Sequence, residues 1–214
     1  MQLPTSADRF ALRRRVLLAS LAVLPIAVAA GPARAGDPEA EGFINAIGEE
    51  VTAILRDPGK GDEAKLASLK ELLDRNTNLD LVARLVLGRH WNAAAEEQRR
   101  EYVELFRQIL MNTMAERLGD YNGQTFEVVG STELNERDTA VQSRIIRVGG
   151  APPIRVDWRV RETEGEFAII DVIAEGVSLV VSQRNEVGSV VERRGMDGLI
   201  EVMRERSTNG EAVL

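Results

Sequence analysis

The residues able to do chemistry in this 214-residue chain are few, and their spacing forms no complete catalytic set. Its one histidine, His90, lies between Arg89 and Trp91, and no Gly-x-Ser-x-Gly turn supplies a serine nucleophile. The chain has no cysteine, which excludes disulfides, thiolate metal sites and a cysteine nucleophile. We therefore expect no catalytic triad, no zinc or calcium site and no cofactor, and we interpret His90 as a structural or surface residue.

Two carboxylates, Asp171 and Glu175, lie within an apolar strand-and-turn segment and leave one enzymatic alternative open. Small cone-shaped α+β folds host acid/base enzymes that use such groups. We favour a structural role, in which Asp171 pairs with an arginine such as Arg159 or Arg184 and fixes the register of the strands. Glycine-rich phosphate loops are not found, because Gly149-Gly150 precedes a strand and does not open a helix.

The first 35 residues have the pattern of a secretory signal peptide. Arginines at positions 13–15 precede an apolar run over residues 16–30, which closes on Ala33-Arg34-Ala35. That run is about 15 residues long and is interrupted by Pro25, whereas a membrane span needs about 20 apolar residues. We expect export by either the Sec or the twin-arginine route, with cleavage after Ala35. Residues 36–214 then form a single exported domain.

The exported domain is acidic, since residues 36–214 contain 22 basic and 33 acidic side chains, a net charge of −11. Nucleic acid and the anionic face of a bilayer both repel such a surface unless a basic patch compensates. No block of lysine and arginine is present. We therefore expect no nucleic-acid partner and no stable membrane insertion after signal cleavage.

Apolar periodicity places helices in the first half of this domain. Apolar spacings of three and four predict helices over residues 38–55, 62–75, a short stretch from Asp80, and 94–118. Beyond Gly119 the period becomes two, which predicts strands near Phe126 and over residues 140–148, 154–160 and 167–172.

The connections between these strands carry their own signals. Gly149-Gly150 suits a tight hairpin, and Pro152 and Pro153 favour an edge position for the strand that follows them. The apolar run over residues 177–181 predicts a further strand, and a closing helix is expected from Ser182 to about Arg206 with a break near Gly195. This order predicts an α+β fold, with N-terminal helices packed on a curved antiparallel sheet of four or five strands.

Apolar residues exceed what one small core requires, and this excess indicates an internal cavity. Each methylene of a buried acyl chain contributes about 0.8 kcal/mol, so a lipid site needs volume and dryness and little polar chemistry. Phe43, Ile47 and Val51 are interpreted as ordinary core. The candidate lipid-binding residues of the cavity wall are Trp91, Phe106, Leu110, Met114, Trp158, Val172, Val177 and Leu179.

Two segments carry a family resemblance: residues 80–91 with Gln98, and residues 171–200. Their ordered pattern resembles the MlaC family of periplasmic phospholipid-binding proteins, also called the toluene-tolerance auxiliary family. His90, Tyr102, Met114 and Val187 depart from positions where that family usually has other aromatic residues. The matching positions are Asp80, Ala83, Arg84, Leu87, Gly88, Trp91, Gln98, Phe106, Leu110, Tyr121, Trp158, Asp171, Val172, Glu175, Gly176, Val177, Ser178, Leu179, Arg184, Gly195, Gly198 and Leu199.

The resemblance implies a cone-like, NTF2/cystatin-like apolar cavity that holds phospholipid tails between helices and sheet. It also implies a periplasmic carrier, not an enzyme, that shuttles lipid between an outer-membrane lipoprotein complex and an inner-membrane ABC transporter complex and so maintains outer-membrane lipid asymmetry. A hopanoid-associated branch makes a polycyclic lipid an alternative ligand.

Two hypotheses of other classes stay open beside the carrier. A small-molecule isomerase or hydratase would use Asp171 and Glu175. A lipid-free periplasmic adaptor would use the charged helical faces of residues 62–75 and 96–118.

Overall fold

A computed structural model describes residues 36–210 of the chain; the expected signal peptide lies outside the described residues. The helices are α1 (Pro38–Arg56), α2 (Asp62–Asn76), α3 (Leu79–Leu87), α4 (Glu96–Leu118) and α5 (Leu179–Asn209), with a short 3-10 helix (Gly88–Trp91) after α3. The strands are β1 (Thr125–Glu133), β2 (Asp138–Ile146), β3 (Ile154–Thr163), β4 (Glu166–Ala174) and β5 (Val177–Ser178). Helices, sheet and closing helix follow in the predicted order.

The strands form one antiparallel meander in the order β1-β2-β3-β4-β5, which confirms the predicted α+β fold with five strands. The prediction of an edge strand after Pro152 and Pro153 is wrong, because β3 is the central strand. Both prolines precede Ile154, the first paired residue of β3, so their missing N–H groups remove no bond from the ladder. Gly149 does adopt a positive φ of 81°, but residues 147–153 form a seven-residue connection and not a tight hairpin.

Two tight turns have the same composition and geometry. Glu164-Gly165 joins β3 to β4, and Glu175-Gly176 joins β4 to β5, each as a two-residue loop. All four residues have positive φ, between 49° and 83°. Such turns have the right-handed twist that antiparallel strands need, and glycine at the second position removes half of the steric cost.

The sheet has two chemically different ends. We call the end with the β1–β2 turn (134–137) and the β3–β4 turn (164–165) the acidic end, because Glu133, Glu136, Glu162, Glu164 and Glu166 are all exposed there. We call the opposite end the proline end; it contains the β2–β3 connection (147–153) and the β4–β5 turn (175–176).

Most of the buried apolar residues form two clusters. The sheet cluster joins α1 and α2 to one face of the sheet through Ala40, Ile44, Ile47, Leu72, Val141, Val160 and Ile169. The helical cluster joins α3, α4 and α5 through Ala83, Val86, Leu87, Tyr102, Ile109, Val180, Val187, Leu199 and Met203. The domain therefore has two apolar cores, one between the sheet and the first two helices and one among α3, α4 and α5.

The closing helix begins earlier than predicted. The expected strand over residues 177–181 ends at Ser178, because the Ser178 hydroxyl accepts the N–H of Val181 at 3.0 Å and caps α5. The predicted break is confirmed at Gly195, which has φ 70° and ψ −178° within the helix. The second half of α5 then packs along α4, where Asn112 donates to the carbonyl of Ser207 at 3.2 Å.

A buried carboxylate holds the register of the sheet on the face away from the helices. Asp138 is 1% exposed and accepts hydrogen bonds from Arg161 at 2.6 Å and Arg159 at 2.5 Å. These bonds from Arg161 and Arg159 hold the pKa of the Asp138 carboxyl well below its ordinary value of 3.8, although burial acts in the opposite direction. The three residues tie β2 to β3.

Candidate functional site

Helix α4 carries an apolar ridge that is only partly covered. Phe106, Leu110, Met114 and Leu118 recur every four residues, so they follow one another along a single side of the helix, and all four are half-buried. We call these four side chains the α4 ridge. Leu110 and Met114, the predicted wall residues at its centre, belong to neither apolar cluster.

Tyr102 anchors the start of this ridge to α3. Its side chain is fully buried, and its hydroxyl donates to the carbonyl of Ala83 at 3.1 Å. Burial raises the pKa of the Tyr102 hydroxyl above its ordinary value of 10.0. The centre of the Phe106 ring lies 6.1 Å from that of the Tyr102 ring. Tyr102, which departs from the family pattern, therefore helps to position Phe106, which matches it.

The sheet contributes an aromatic wall on the face that α1 covers. Trp158 of β3 and Val172 of β4 are direct cross-strand partners, and both are half-buried against the sheet cluster. The indole N–H of Trp158 donates to the Ser143 hydroxyl at 2.8 Å, and that hydroxyl donates to the carbonyl of Val156 at 2.7 Å. With its polar atom satisfied inside the sheet, Trp158 presents only apolar surface to its surroundings.

Phe126 of β1 completes this wall. Its ring meets Trp158 edge to face with centroids 6.2 Å apart, and it packs closely on α1 at Gly48. A Cβ at Gly48 would lie 2.2 Å from the Phe126 ring, so α1 can approach the sheet here only because the side chain is absent.

Phe126 was predicted to lie on a strand but not in the wall of the cavity, because an alternating pattern does not show which strand residues face the helices. Val128, Phe43, Val51 and Phe167 were likewise left outside the predicted wall, and they too pack half-buried against the sheet cluster. The β1–β2 register, which sets Phe126 opposite Ile145, is a non-local fact that single-strand periodicity does not contain.

The structure separates the eight predicted wall residues into four groups. Trp158 and Val172 lie together at the sheet cluster. Trp91 packs on the helical cluster, as does Phe106, the first residue of the α4 ridge, and Leu110 and Met114 lie farther along that ridge. The fourth group, Val177 and Leu179, lies at the far edge of the sheet.

Val177 and Leu179 occupy the proline end, where they are 55% and 49% exposed. Val177 pairs with Ala174 across the β4–β5 turn, which puts it on the same face of the sheet as Val172. The sheet face that α1 covers is therefore open to solvent at this edge.

Trp91 has a structural environment. The Arg99 guanidinium lies 5.5 Å from the centre of its ring, and the Arg99 Nε donates to the Trp91 carbonyl at 2.8 Å. The cation–π contact and the hydrogen bond together fix the turn between α3 and α4.

Two open clefts run along α5, with volumes of about 390 and 440 Å³. Most of the residues that line them have charged or polar side chains, and none of the eight predicted wall residues contributes to them. The first is lined by Asn185, Glu186, Ser189, Val190, Arg193, Val202 and Arg206; the second is lined by Leu87, Arg89, His90, Arg184, Asn185, Gly188, Ser189 and Glu192. The predicted apolar cavity corresponds to neither cleft and stays a prediction.

The candidate acid/base residue Asp171 is fully engaged in structural contacts. It accepts hydrogen bonds from the Ser178 hydroxyl at 2.6 Å and from the backbone N–H of Val180 at 3.1 Å, so it supports the N-terminus of α5. The predicted pairing with Arg159 or Arg184 is wrong: Arg159 binds Asp138, and Arg184 donates to the Leu85 carbonyl at 2.7 Å. The Asp171 carboxylate therefore caps the N-terminus of α5 and pairs with neither arginine.

The second candidate, Glu175, accepts the backbone N–H of Arg155 at 2.5 Å and is exposed in a turn. Among residues 36–210, no group of three or more His, Cys, Asp or Glu residues is arranged to hold a metal ion. In the same residues every buried side-chain nitrogen and oxygen has a hydrogen-bond partner.

Comparison with known proteins places this architecture in a defined class. The fold is shared with a phospholipid-binding protein from Ralstonia solanacearum, solved in complex with a phospholipid, at a TM-score of 0.70 and 23% sequence identity over 80% of this chain and 98% of that one. The MlaC protein family model matches residues 45–205. The chain therefore belongs to the MlaC family.

A curated relative is the intermembrane phospholipid transport system binding protein MlaC of Haemophilus influenzae. It is 27% identical over 135 residues, which cover 61% of this chain and 63% of the relative. No helix within residues 36–210 is both long and apolar enough to cross a membrane.

Proposed function

We propose that this chain is a periplasmic phospholipid carrier, in which acyl tails lie between the α4 ridge and the aromatic wall of the sheet. The proposed wall consists of Trp91, Phe106, Leu110, Met114, Trp158, Val172, Val177 and Leu179, to which we add Phe126. Residues 1–35 are proposed to direct export and to be removed, which leaves residues 36–214 as the working domain.

The α4 ridge is the observation that carries this proposal. It spans 12 residue steps, or about 18 Å at the rise of an α-helix. One leaflet of a bilayer has a hydrocarbon thickness of about 15 Å, half of the full core. A half-buried apolar strip of this length is therefore matched to one acyl chain, which would cover Leu110 and Met114, the residues of the ridge that belong to neither apolar cluster.

The energetics favour recognition through the tails. Two chains of about 16 carbons would gain on the order of 25 kcal/mol gross from burial, well above the 4–15 kcal/mol that association costs. Because every buried side-chain polar atom in residues 36–210 already has a partner, the interior offers a lipid apolar contact and no unpaired polar group. This arrangement suits a carrier better than an enzyme.

The relatives support the wider role. The Haemophilus protein is named as the binding protein of an intermembrane phospholipid transport system. By analogy, we propose that this domain shuttles lipid between an outer-membrane lipoprotein complex and an inner-membrane ABC transporter complex, and so maintains the lipid asymmetry of the outer membrane.

The test is the lipid content of the protein exported to a bacterial periplasm and purified without detergent. Organic extraction and mass spectrometry are expected to yield phospholipid; a polycyclic lipid would instead support the hopanoid-associated alternative. Leu110→Glu is expected to lower the lipid yield severalfold, because it buries a charge in the tail site. Leu134→Glu is the matched control, since Leu134 is 45% exposed in the β1–β2 turn, and it is expected to keep the wild-type yield.

Two results would count against the carrier. Repeated extraction of the wild-type protein without any long-chain lipid would overturn the assignment. Equal lipid loading of folded Leu110→Glu and wild-type protein would remove the α4 ridge from the site.

A further inference from the structure

The dipeptide Asn-Gly occurs twice in the chain, as Asn122-Gly123 and as Asn209-Gly210. Asparagine is one of the chemically labile residues of proteins. The backbone nitrogen of the residue that follows an asparagine can attack its side-chain amide, and glycine obstructs this approach least because it has no side chain. The two dipeptides have the same local chemistry, so a difference in their reactivity has to come from the structure around them.

The atoms that would react at Asn122-Gly123 are unrestrained by the fold. This pair lies between the end of α4 and the start of β1, and Asn122 is exposed. Among residues 36–210, neither the Asn122 side-chain amide nor the Gly123 N–H has a hydrogen-bond partner. Gly123 has a positive φ of 106°, and the atom nearest to its Cβ position is Val148 Cγ2, at 3.6 Å. The approach to the Gly123 nitrogen is therefore open.

Two hydrogen bonds hold the flanks of this turn without using either reacting atom. The Asn122 N–H donates to Gln124 Oε1 at 2.8 Å, and Gln124 Nε2 donates to the carbonyl of Asp120 at 3.1 Å. They keep the turn formed while the Asn122 side chain remains free to rotate.

Asn209-Gly210 is equally exposed but is held by a helix. Asn209 is the last residue of α5, and the Gly210 N–H donates to the carbonyl of Arg206. Side chains of an α-helix point back toward its N-terminus, away from the nitrogen of the following residue. Attack at Asn209 therefore requires the end of α5 to open first.

We propose that Asn122 is a site of selective, spontaneous deamidation in the folded domain. The Gly123 nitrogen forms a bond to Asn122 Cγ, the C–N bond of the side-chain amide breaks, and the –NH2 group leaves as ammonia with the proton that Gly123 loses. Water then opens the cyclic imide at either of its carbonyl groups, which gives aspartate or isoaspartate at position 122. Water is the only co-reactant.

Both products change the connection between α4 and β1. Each adds a negative charge two residues from the exposed Asp120. Isoaspartate also inserts one more carbon into the backbone, and so lengthens the link from Leu118, the last residue of the α4 ridge, to β1. The reaction does not depend on whether the domain carries lipid, so it stands or falls independently of the proposed function.

The test is incubation of the purified exported protein at mildly alkaline pH, followed by a short tryptic digestion and mass spectrometry. Cleavage after arginine puts the two sites in separate peptides, residues 118–137 and residues 207–214. Asn122 is expected to convert faster than Asn209 by about fivefold or more, the factor that one typical backbone hydrogen bond contributes. Labelling by an isoaspartate methyltransferase is expected to identify isoaspartate at position 122.

Two controls separate the effect of the fold from that of the dipeptide. In concentrated urea both dipeptides lose their structural surroundings, so the two conversion rates are expected to converge. Asn122→Gln is expected to abolish conversion at position 122, because glutamine would have to close a larger ring, and to leave the rate at Asn209 unchanged. Circular dichroism verifies that this variant is folded.

Three outcomes overturn the proposal. The first is conversion of Asn209 in the folded protein at a rate equal to or above that of Asn122. The second is an Asn122 that converts in urea but is protected in the folded domain. The third is a difference between the two sites that persists unchanged in urea, since the sequence next to each dipeptide would then be its cause.

Discussion

At the level of single residues, Asp138 is the charge on which the sheet most depends. It is 1% exposed, while the side chains of its partners Arg159 and Arg161 are 38% and 30% exposed. Removing one member of a buried ion pair usually costs 3–5 kcal/mol; because both arginines can reach solvent, we expect Asp138→Asn to lower the free energy of unfolding by about 2–3 kcal/mol at pH 7. Urea denaturation measures this loss, and Glu136→Gln, two residues earlier in the exposed β1–β2 turn, is the control expected to show almost none.

The pH dependence of this loss follows from the lowered pKa of Asp138. In the unfolded chain the carboxyl titrates near its ordinary value of 3.8, so its contribution to stability is complete above that pH and is lost as pH falls toward the lower folded-state pKa. The stability difference between wild type and Asp138→Asn is therefore expected to be constant from pH 5 to 8 and to shrink below about pH 4. A difference that stayed constant down to pH 3 would show that the charge of Asp138 is not what holds β2 to β3.

Asp171 shows why residue types alone misidentified a contact. A carboxylate in an apolar strand near arginines satisfies the sequence pattern for an ion pair, and the cross-strand register does set Arg159 opposite Asp171. The N-terminus of α5 offers backbone N–H groups and the Ser178 hydroxyl at closer range, and Arg159 finds a better partner in Asp138. Which of two competing partners wins depends on three-dimensional distances that the sequence does not contain.

At the level of elements, the packing of α1 on the sheet depends on one glycine. A Cβ at Gly48 would meet the Phe126 ring at 2.2 Å, so Gly48→Ala is expected to lower the free energy of unfolding by about 1–3 kcal/mol through overpacking. Gly42 lies in the same helix with nothing within 4 Å of its Cβ position. Gly42→Ala is therefore expected to raise stability by about 0.5–1 kcal/mol, because alanine favours the helix. Thermal unfolding of both variants gives the comparison, and the same sign for the two changes would contradict this account.

The elements themselves were largely predictable because their signals are local. The apolar spacing that runs from Phe43 to Leu55 places the end of α1 within a residue of the observed end at Arg56. The start of α5 was placed three residues late, because its cap uses Asp171 from the preceding strand. The central position of β3 was missed because proline disfavours a central strand only where its residue is paired with a neighbouring strand. Pro152 and Pro153 precede Ile154, the first paired residue of β3, so they do not restrict its position.

The candidate site was less predictable than the fold. Composition and helical period identify Phe106, Leu110 and Met114 as one apolar side of α4, and the structure confirms that they lie on one side of that helix. Periodicity cannot distinguish a side chain that is fully covered from one that is half-covered. That distinction, which separates a core from a lipid surface, depends on how closely the sheet and the other helices approach α4.

At the level of the whole molecule, we expect the stability of the domain to depend on bound lipid. The reason is that acyl tails would cover apolar side chains that the two clusters leave half-buried. A ligand that binds only the folded state adds about 2.7 kcal/mol at a concentration of 100 times its Kd. For a domain of this size each kcal/mol shifts Tm by about 2–4 °C. Removing lipid under mild, non-denaturing conditions is therefore expected to lower Tm by roughly 5–10 °C, and adding phospholipid back is expected to restore it.

The Leu110→Glu variant turns this measurement into a test of location. If lipid stabilises the domain by covering the α4 ridge, the variant is expected to start near the delipidated Tm and to respond little to either removal or addition of phospholipid. Leu134→Glu is expected to respond as the wild type does, because Leu134 lies in the exposed β1–β2 turn. A delipidated wild type with unchanged Tm would mean that the α4 ridge is ordinary core and not a lipid surface.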